Sequence, residues 1–349
     1  MKKITDKIVA FGPAAAHYTR KVCCSSDSPE NDDLEKIDLY SSLAETLSAA
    51  YSDYAFDPDQ LRLQDEHLAG SYVCQRRALL RGGKPVAFAE YRHTPEMYHP
   101  YKFLVNVTVH PDMQGQGLGS VLYQYIQSEL EAYQPVSLRA SCRAENAQSI
   151  AFLERRGFIR GMSIRELHKD LTASATISSS VSSVETQSND SLRRPGIIIL
   201  TMEELASDVG RDWKLYQLIL AIRADMPAPD KVTPVSFAHF AESFLNAPSR
   251  LPDATFIAVR KTDRAYIGFS DLFEDGDGGL YCGVTGVVSN YRRCGIASAL
   301  KRASIRYGRQ NGYYRLKTFN AAENAGILTV NLSAGFREQC AWLHYEKTV

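Results

Sequence analysis

Apolar positions along the first half of the chain come in short runs of two different periods. Arg77–Leu80 and Pro85–Tyr91 are separated by Gly82-Gly83, which predicts a hairpin. Phe103–Val109 places valines at 105, 107 and 109, the period-two pattern of a strand, and Pro111 ends it. A helix then follows, with Leu118, Val121, Leu122, Tyr125, Ile126 and Leu130 spaced three and four apart. Val136–Ala140 predicts another strand. Glu145–Arg155 predicts a second helix that stops at Gly157. The second half repeats this order. A strand is predicted over Tyr281–Val288 and a helix with Ile296, Ala299, Leu300, Ala303 and Tyr307 on its apolar face. A strand over Tyr314–Thr318 and a helix reaching Gly335 complete it. Hairpins followed by strand–helix–strand–helix predict α+β or mixed α/β sheets.

The two halves are copies. At an offset of 178, Gly117 falls on Gly295, Ser120 on Ser298 and Leu122 on Leu300. Ala144-Glu145-Asn146-Ala147 falls on the identical Ala322-Glu323-Asn324-Ala325, and Gly157-Phe158 falls on Gly335-Phe336. The register holds without a gap from Val109/Val287 to Phe158/Phe336. Between the copies, Thr172–Ser191 contains eleven Ser or Thr in twenty residues and no aromatic, a composition that buries little. The expected division is a domain over 1–171, a linker over 172–193 and a domain over 194–349.

Composition narrows the class. With 349 residues and 44% hydrophobic positions the chain can build two cores. Lys+Arg and Asp+Glu are both 40, so the basic excess of a nucleic-acid binder is missing. The seven cysteines are odd in number and widely spaced, with no C-x-x-C. That argues against a disulfide framework or a metal site and for reduced thiols in the cytoplasm. Asp6 and Lys7 interrupt the faint likeness of the start to a signal peptide. No run approaches the ~20 apolar residues of a membrane span.

The candidate chemistry lies where strand meets helix. Both copies carry [Q/R]-x-x-G-x-[G/A] there, as Gln114-x-x-Gly117-x-Gly119 and Arg292-x-x-Gly295-x-Ala297. Small residues let the backbone approach a ligand, and N–H groups at a helix start favour an anion. The G-x-G-x-x-G dinucleotide fingerprint and the G-K-[ST] of a Walker loop are both missing.

At these residues the sequence resembles tandem members of the GNAT (GCN5-related N-acetyltransferase) superfamily. The resemblance implies two mixed-sheet domains that bind acetyl-CoA as acyl donor. Carried over by position, Val107, Thr108 and Val109, and Thr285, Gly286 and Val287, face the pantetheine. Gln114, Gly115, Gln116, Gly117, Leu118 and Gly119 would cradle one pyrophosphate, and Arg292, Arg293, Cys294, Gly295, Ile296 and Ala297 the other. Asn146 and Asn324 either flank the pantetheine or cap helices.

The family transfers the acyl group directly to an amine in a ternary complex. An amine with a pKa of about 10.4 must first lose a proton to a base. Many members return a proton to the thiolate from a Tyr four residues before the Gly of Gly-Phe. That position is Leu153 in one copy and Asn331 in the other, so water is left as the donor or Asn331 as a hydrogen-bonding partner. Asp271 is the candidate base of the second copy and Glu90 its counterpart in the first. Glu274, Asp275 and Asp277 read as a hairpin tip. The segments Tyr51–Pro58 and Ala224–Val235 are expected to cover a small-molecule or peptide amine. Arg292 offers the second loop a charge that Gln114 does not offer the first, which places turnover in the second copy. The alternative is a non-catalytic acetyl-CoA-binding or regulatory protein.

Overall fold

The computed structural model describes residues 6–13, 37–172, 196–247 and 250–349. Nearly all of the Ser/Thr-rich segment 172–193 lies outside them. The chain forms two compact units. Unit 1 comprises Met1–Ser141, Phe152–Arg160 and Tyr345–Val349, and unit 2 comprises Cys142–Ala151 and Gly161–His344.

Unit 1 opens with β1 (Asp6–Phe11), α1 (Leu39–Ala50), α2 (Pro58–Leu68), β2 (Cys74–Arg81) and β3 (Lys84–Arg92). The β2–β3 hairpin turns at Gly82 and Gly83, with φ of 60° and 81°. Two consecutive left-handed residues suit a tight hairpin, and glycine adopts them without a Cβ penalty. Then come β4 (Lys102–Val109), α3 (Leu118–Leu130) and β5 (Ser137–Arg143). Strands β1 to β4 pair antiparallel in order, and β4 pairs parallel with β5. Phe88 and Ala78 pack with Tyr40, Leu43 and Leu61 of α1 and α2. The inner side of α3 is Leu118, Leu122, Tyr123, Ile126 and Leu130. Val121 and Tyr125, expected on that face, are 45% and 40% exposed. The i, i+4 row 118–122–126–130 forms the centre of the face, and Tyr123 flanks it in their place.

The chain continues through α4 (Ala147–Glu154), β6 (Ile159–Asp170), β7 (Ile197–Thr201), α5 (Arg211–Ala224), α6 (Phe237–Phe240) and β8 (Phe256–Arg260). It ends with β9 (Tyr266–Glu274), β10 (Leu280–Val287), α7 (Ile296–Gln310), β11 (Arg315–Ala321), α8 (Ala325–Ser333) and β12 (Arg337–Thr348). In unit 2 the strands run β6–β11–β10–β9–β8–β7, with β10 and β11 parallel. One face packs Leu272, Leu280, Cys282 and Val287 with Ile296 and Leu300 of α7. The other packs Ile257, Val259 and Phe269 with Leu215, Ile219 and Ile222 of α5.

Each unit borrows strand residues from the other copy's stretch of sequence. Strand β6, expected within 1–171, runs antiparallel to β11 from Arg315↔Asp170 to Ala321↔Ile164. The end of β12 joins unit 1: Val349 N–H donates to Val136 O at 3.2 Å, and Ser137 Oγ to Glu346 Oε1 at 2.5 Å.

Candidate functional site: two opened parallel strand pairs

Strand β4 pairs with β5 at only three positions, Lys102↔Ser137, Phe103↔Leu138 and Leu104↔Arg139. Its pairing with β3 continues to Val109. Strand β10 pairs with β11 at Leu280↔Leu316, Tyr281↔Lys317 and Cys282↔Thr318, and its pairing with β9 continues to Val287. The parallel pairs therefore open after Leu104 and Cys282, equivalent positions at the offset of 178. From there 105–109 and 283–287 each have one backbone edge without a strand partner. Such half-buried N–H and C=O groups call for another partner, and the amides of an extended chain are groups of the kind that pairs with them. The segments 107–109 and 285–287 lie here, as the sequence placed them.

Each opened strand leads into a helix start that no side chain caps. Gly117 and Gly295 occupy the N-cap with φ of 80° and 81°. Two residues earlier stand Gly115 at 75° and Arg293 at 61°, so the loops share a backbone although one uses a non-glycine. A Cβ at Gly115 or Gly117 would meet nothing within 4 Å. These glycines therefore serve the left-handed backbone, not internal packing. Gly119 is different: its Cβ position is 3.5 Å from Phe152, ordinary packing contact.

Gln114 and Arg292 do the same structural work. Gln114 Nε2 donates to Val109 O at 3.1 Å, and Arg292 Nε to Val287 O at 3.0 Å. Arg292 also pairs with Asp225 at 2.5 Å, so its charge is shared. The first loop has cations that its sequence does not announce. Arg81 Nη1 donates to Gln116 Oε1 at 2.6 Å, and Arg156 Nη2 to Ser120 Oγ at 2.7 Å in the first turn of α3. Arg156 comes from beyond α4, and nothing in the loop motif points to it.

Asn146 and Asn324 cap helices, accepting from Ser149 N–H at 2.9 Å and Ile327 N–H at 3.4 Å. Gly286 leaves room for α5: a Cβ there would lie 2.2 Å from Ile222 Cγ2. Cys294 Sγ donates to Arg292 O at 3.3 Å. Leu153 is buried in unit 1. Asn331 is fully buried; its Nδ2 donates to Asn320 Oδ1 of β11 at 2.7 Å, while its Oδ1 has no protein partner.

The two candidate bases occupy equivalent places but differ in state. Glu90 lies opposite Asn106 on β4, and Asp271 lies opposite the bulge at Gly283–Val284 on β10. Glu90 is fully engaged: Arg76 Nη1 is 2.7 Å from Oε2, and Asn106 Nδ2 donates to Oε1 at 2.6 Å. Burial raises its pKa, but Arg76, Arg92 and the Asn106 amide outweigh that and hold it below the usual carboxyl range. Arg76 is also bound to Asp65 at 2.6 Å, so this is a buried structural network. Asp271 accepts Val284 N–H at 2.7 Å and forms no ion pair among the described residues. Burial pushes its pKa up to about 6, against the opposing pull of Arg250, the Val284 N–H and Arg223. A carboxylate near that value is suited to take a proton at neutral pH. Glu274, Asp275 and Asp277 are occupied elsewhere. Tyr313 donates to Glu274, while Arg315 pairs with Asp275 at 3.0 Å and with Asp277 at 2.5 Å.

A residue that sequence reasoning missed is Lys301, fully buried on α7. Its Nζ donates to Cys282 Sγ at 2.9 Å and to Thr285 Oγ1 at 3.3 Å, beneath the opened strand. The equivalent residue of unit 1 is Tyr123, whose buried hydroxyl has no partner. The offset of 178 pairs the two residues, and it was the available signal.

An opened parallel pair running into an uncapped helix start is thus present twice. The acetyltransferase (GNAT) family matches residues 36–158 and 219–327. The chain belongs to that family. The ribosomal protein bS18-alanine N-acetyltransferase of Escherichia coli K12 is 38% identical over 80 residues, covering 23% of this chain and 51% of that enzyme. The chain thus spans about half the length of the curated relatives it matches. A tandem GNAT protein from the clavulanic acid biosynthesis pathway superposes with a TM-score of 0.70 at 16% identity, covering 98% of both chains. A GCN5-related N-acetyltransferase from Sphaerobacter thermophilus gives 0.67 at 16% identity, over 99% of this chain and 96% of that one. These two likenesses establish the fold.

Proposed function

We propose that the protein is an acetyl-CoA-dependent N-acetyltransferase that moves the acetyl group to a primary amine of a small molecule or peptide by direct transfer. In this reading residues 1–171 and 194–349 are one GNAT domain each, with 172–193 as the linker and the second domain as the active half. The observation that carries it is the opening of β4–β5 and β10–β11 at equivalent residues, each followed by an uncapped helix start. The residues fit the donor. The free edges of 105–109 and 283–287 match the amides of a pantetheine arm, and the helix starts match a pyrophosphate. The orphaned Asn331 Oδ1 is an acceptor for an N–H or a thiol.

Bound acetyl-CoA supplies the activated acetyl group. In unit 2 the N–H groups of 283–287 orient and polarise it, and Asp271 takes the proton from the amine. Unit 1 binds with the same loop but has Glu90 tied to Arg76, so it serves structure or regulation. The placement is cytoplasmic, and no described helix is long and apolar enough to cross a membrane. The relative named for acetylating an alanine of a ribosomal protein makes a peptide amine a reasonable first acceptor to assay. The test is acetyl-CoA-dependent thiol release against a panel of amines, with separate calorimetric titration of acetyl-CoA. Two binding events without thiol release would establish the alternative, a non-catalytic acetyl-CoA-binding protein.

A further inference from the structure

Arg250 is 7% exposed, and its backbone is bridged to Phe273 of β9. Its guanidinium reaches inward, where Nε donates to Phe244 O and Nη1 to Thr255 Oγ1 at 3.3 Å. Nη2 is buried without a hydrogen-bond partner. A side chain that only stapled the loop to β9 would not need to leave a buried charged donor unpaired, which is costly. Among the described residues, Asp271 is the opposite charge acting on Arg250, and the two do not form an ion pair. Arg223 of α5 also acts on Asp271. The surroundings are aromatic, with the rings of Phe244 and Phe273 under the Arg250 guanidinium. Phe273 also packs against Tyr281. The unpaired Nη2 of Arg250 thus lies in an aromatic setting against the strand that carries the proposed base.

We infer that the acceptor of unit 2 is an amino acid: a small molecule whose carboxylate is held by Arg250 while its amine faces Asp271. The inference rests on the acetyltransferase reading and names its substrate class. A carboxylate supplies the planar pair of acceptors that a guanidinium matches, and it gives the buried Nη2 the partner it lacks. Asp271 then removes the ammonium proton. An acceptor without the anion leaves Arg250 as orphaned as it is in the free protein.

The test uses the full chain, acetyl-CoA, and α-, β- and γ-amino acids each paired with its own primary carboxamide. Thiol release should favour at least one acid over its amide by about 10- to 100-fold in kcat/KM, the range for a charge-assisted hydrogen bond. Arg250→Met should abolish that preference and Arg250→Lys keep part of it. Equal or better turnover of every amide, or a preference that survives in a folded Arg250→Met protein, overturns the inference and leaves the acetyltransferase reading standing. If Arg250→Met does not fold, the acid-to-amide ratio of the parent decides alone. If no amine releases thiol, shifts in melting temperature by the same pairs are read with acetyl-CoA present. An acid-specific shift weakened in Arg250→Lys or lost in Arg250→Met upholds the carboxylate site and overturns acyl transfer, and one unchanged in both overturns the carboxylate site as well. No shift overturns both.

Discussion

Replacing Asp271 with Asn separates the base from its surroundings with little change of shape, because an amide oxygen can still accept Val284 N–H. In the parent the carboxyl sits at about 6 instead of the ordinary 3.8. At 1.36 kcal/mol per pKa unit, that difference is worth about 3 kcal/mol. The sign follows from proton binding. Between those two values the folded protein holds a proton that the unfolded chain has released, so stability falls as pH rises from about 3.8 to about 6 and stays lower above it. Asp271→Asn removes this penalty and should stabilise the protein at pH 8 relative to pH 4, by at most about 3 kcal/mol. Arg250 loses its opposite charge in the variant, which takes back part of the gain. Activity should move the other way. Acetyl transfer should fall by about 10²- to 10⁴-fold, and the loss of rate below pH about 6 in the parent, close to tenfold per pH unit, should vanish. Urea unfolding at pH 4 and pH 8, together with kcat/KM against pH, measures both. A variant that keeps the acid limb, or whose stability relative to the parent is the same at both pH values, would refute Asp271 as a buried, poised base.

Three further perturbations test other parts of the reasoning. Gly117→Glu and Gly295→Glu each place a side chain at a φ near 80° and a negative charge at a helix start. Calorimetry should show one acetyl-CoA site weakened by roughly 30-fold or more in each single variant, with the other site intact. Gly286→Ala sets a methyl against Ile222 Cγ2 and should destabilise unit 2 by about 1–3 kcal/mol in thermal melting, and by less in an Ile222→Ala background, where that carbon is gone. Glu90→Gln leaves Arg76 short of one buried partner and should cost about 3–5 kcal/mol of stability in chemical unfolding, while acetyl transfer by unit 2 keeps its kcat/KM.

The repeat and the strand–loop–helix joins are legible because they are local. Valines at alternate positions, small residues at fixed spacing and one offset of 178 are visible in a single chain. Positions that depend on distant partners were not legible. The state of Asp271 against Glu90 is set by whether an arginine from another strand reaches the carboxylate: Arg76 of β2 does, and Arg250 does not. Arg292 looked like a free cation because Asp225, 67 residues earlier, is invisible as its partner. The close packing of Ile222 against Gly286, 64 residues apart in the chain, is likewise invisible in the sequence. Lys301 hid among the polar positions of an amphipathic helix, although the matching Tyr123 in the other copy marks the site as an inner one.

The borrowed strands have a consequence for how the molecule is made. Unit 1 contains residues 345–349, and Ser137 meets Glu346 across 209 residues of chain. During synthesis the first half leaves the ribosome long before the segment that completes its sheet exists. Until then β5 presents an unfinished edge, the kind of surface that pairs with the wrong strand. Residues 161–170 likewise wait for β11 before they have their partner. Completion is a late, long-range event, slow on topological grounds. Unit 1 therefore completes its sheet only after the residues at 345–349 have been made. A truncation removing only the last few residues would injure the half that was translated first.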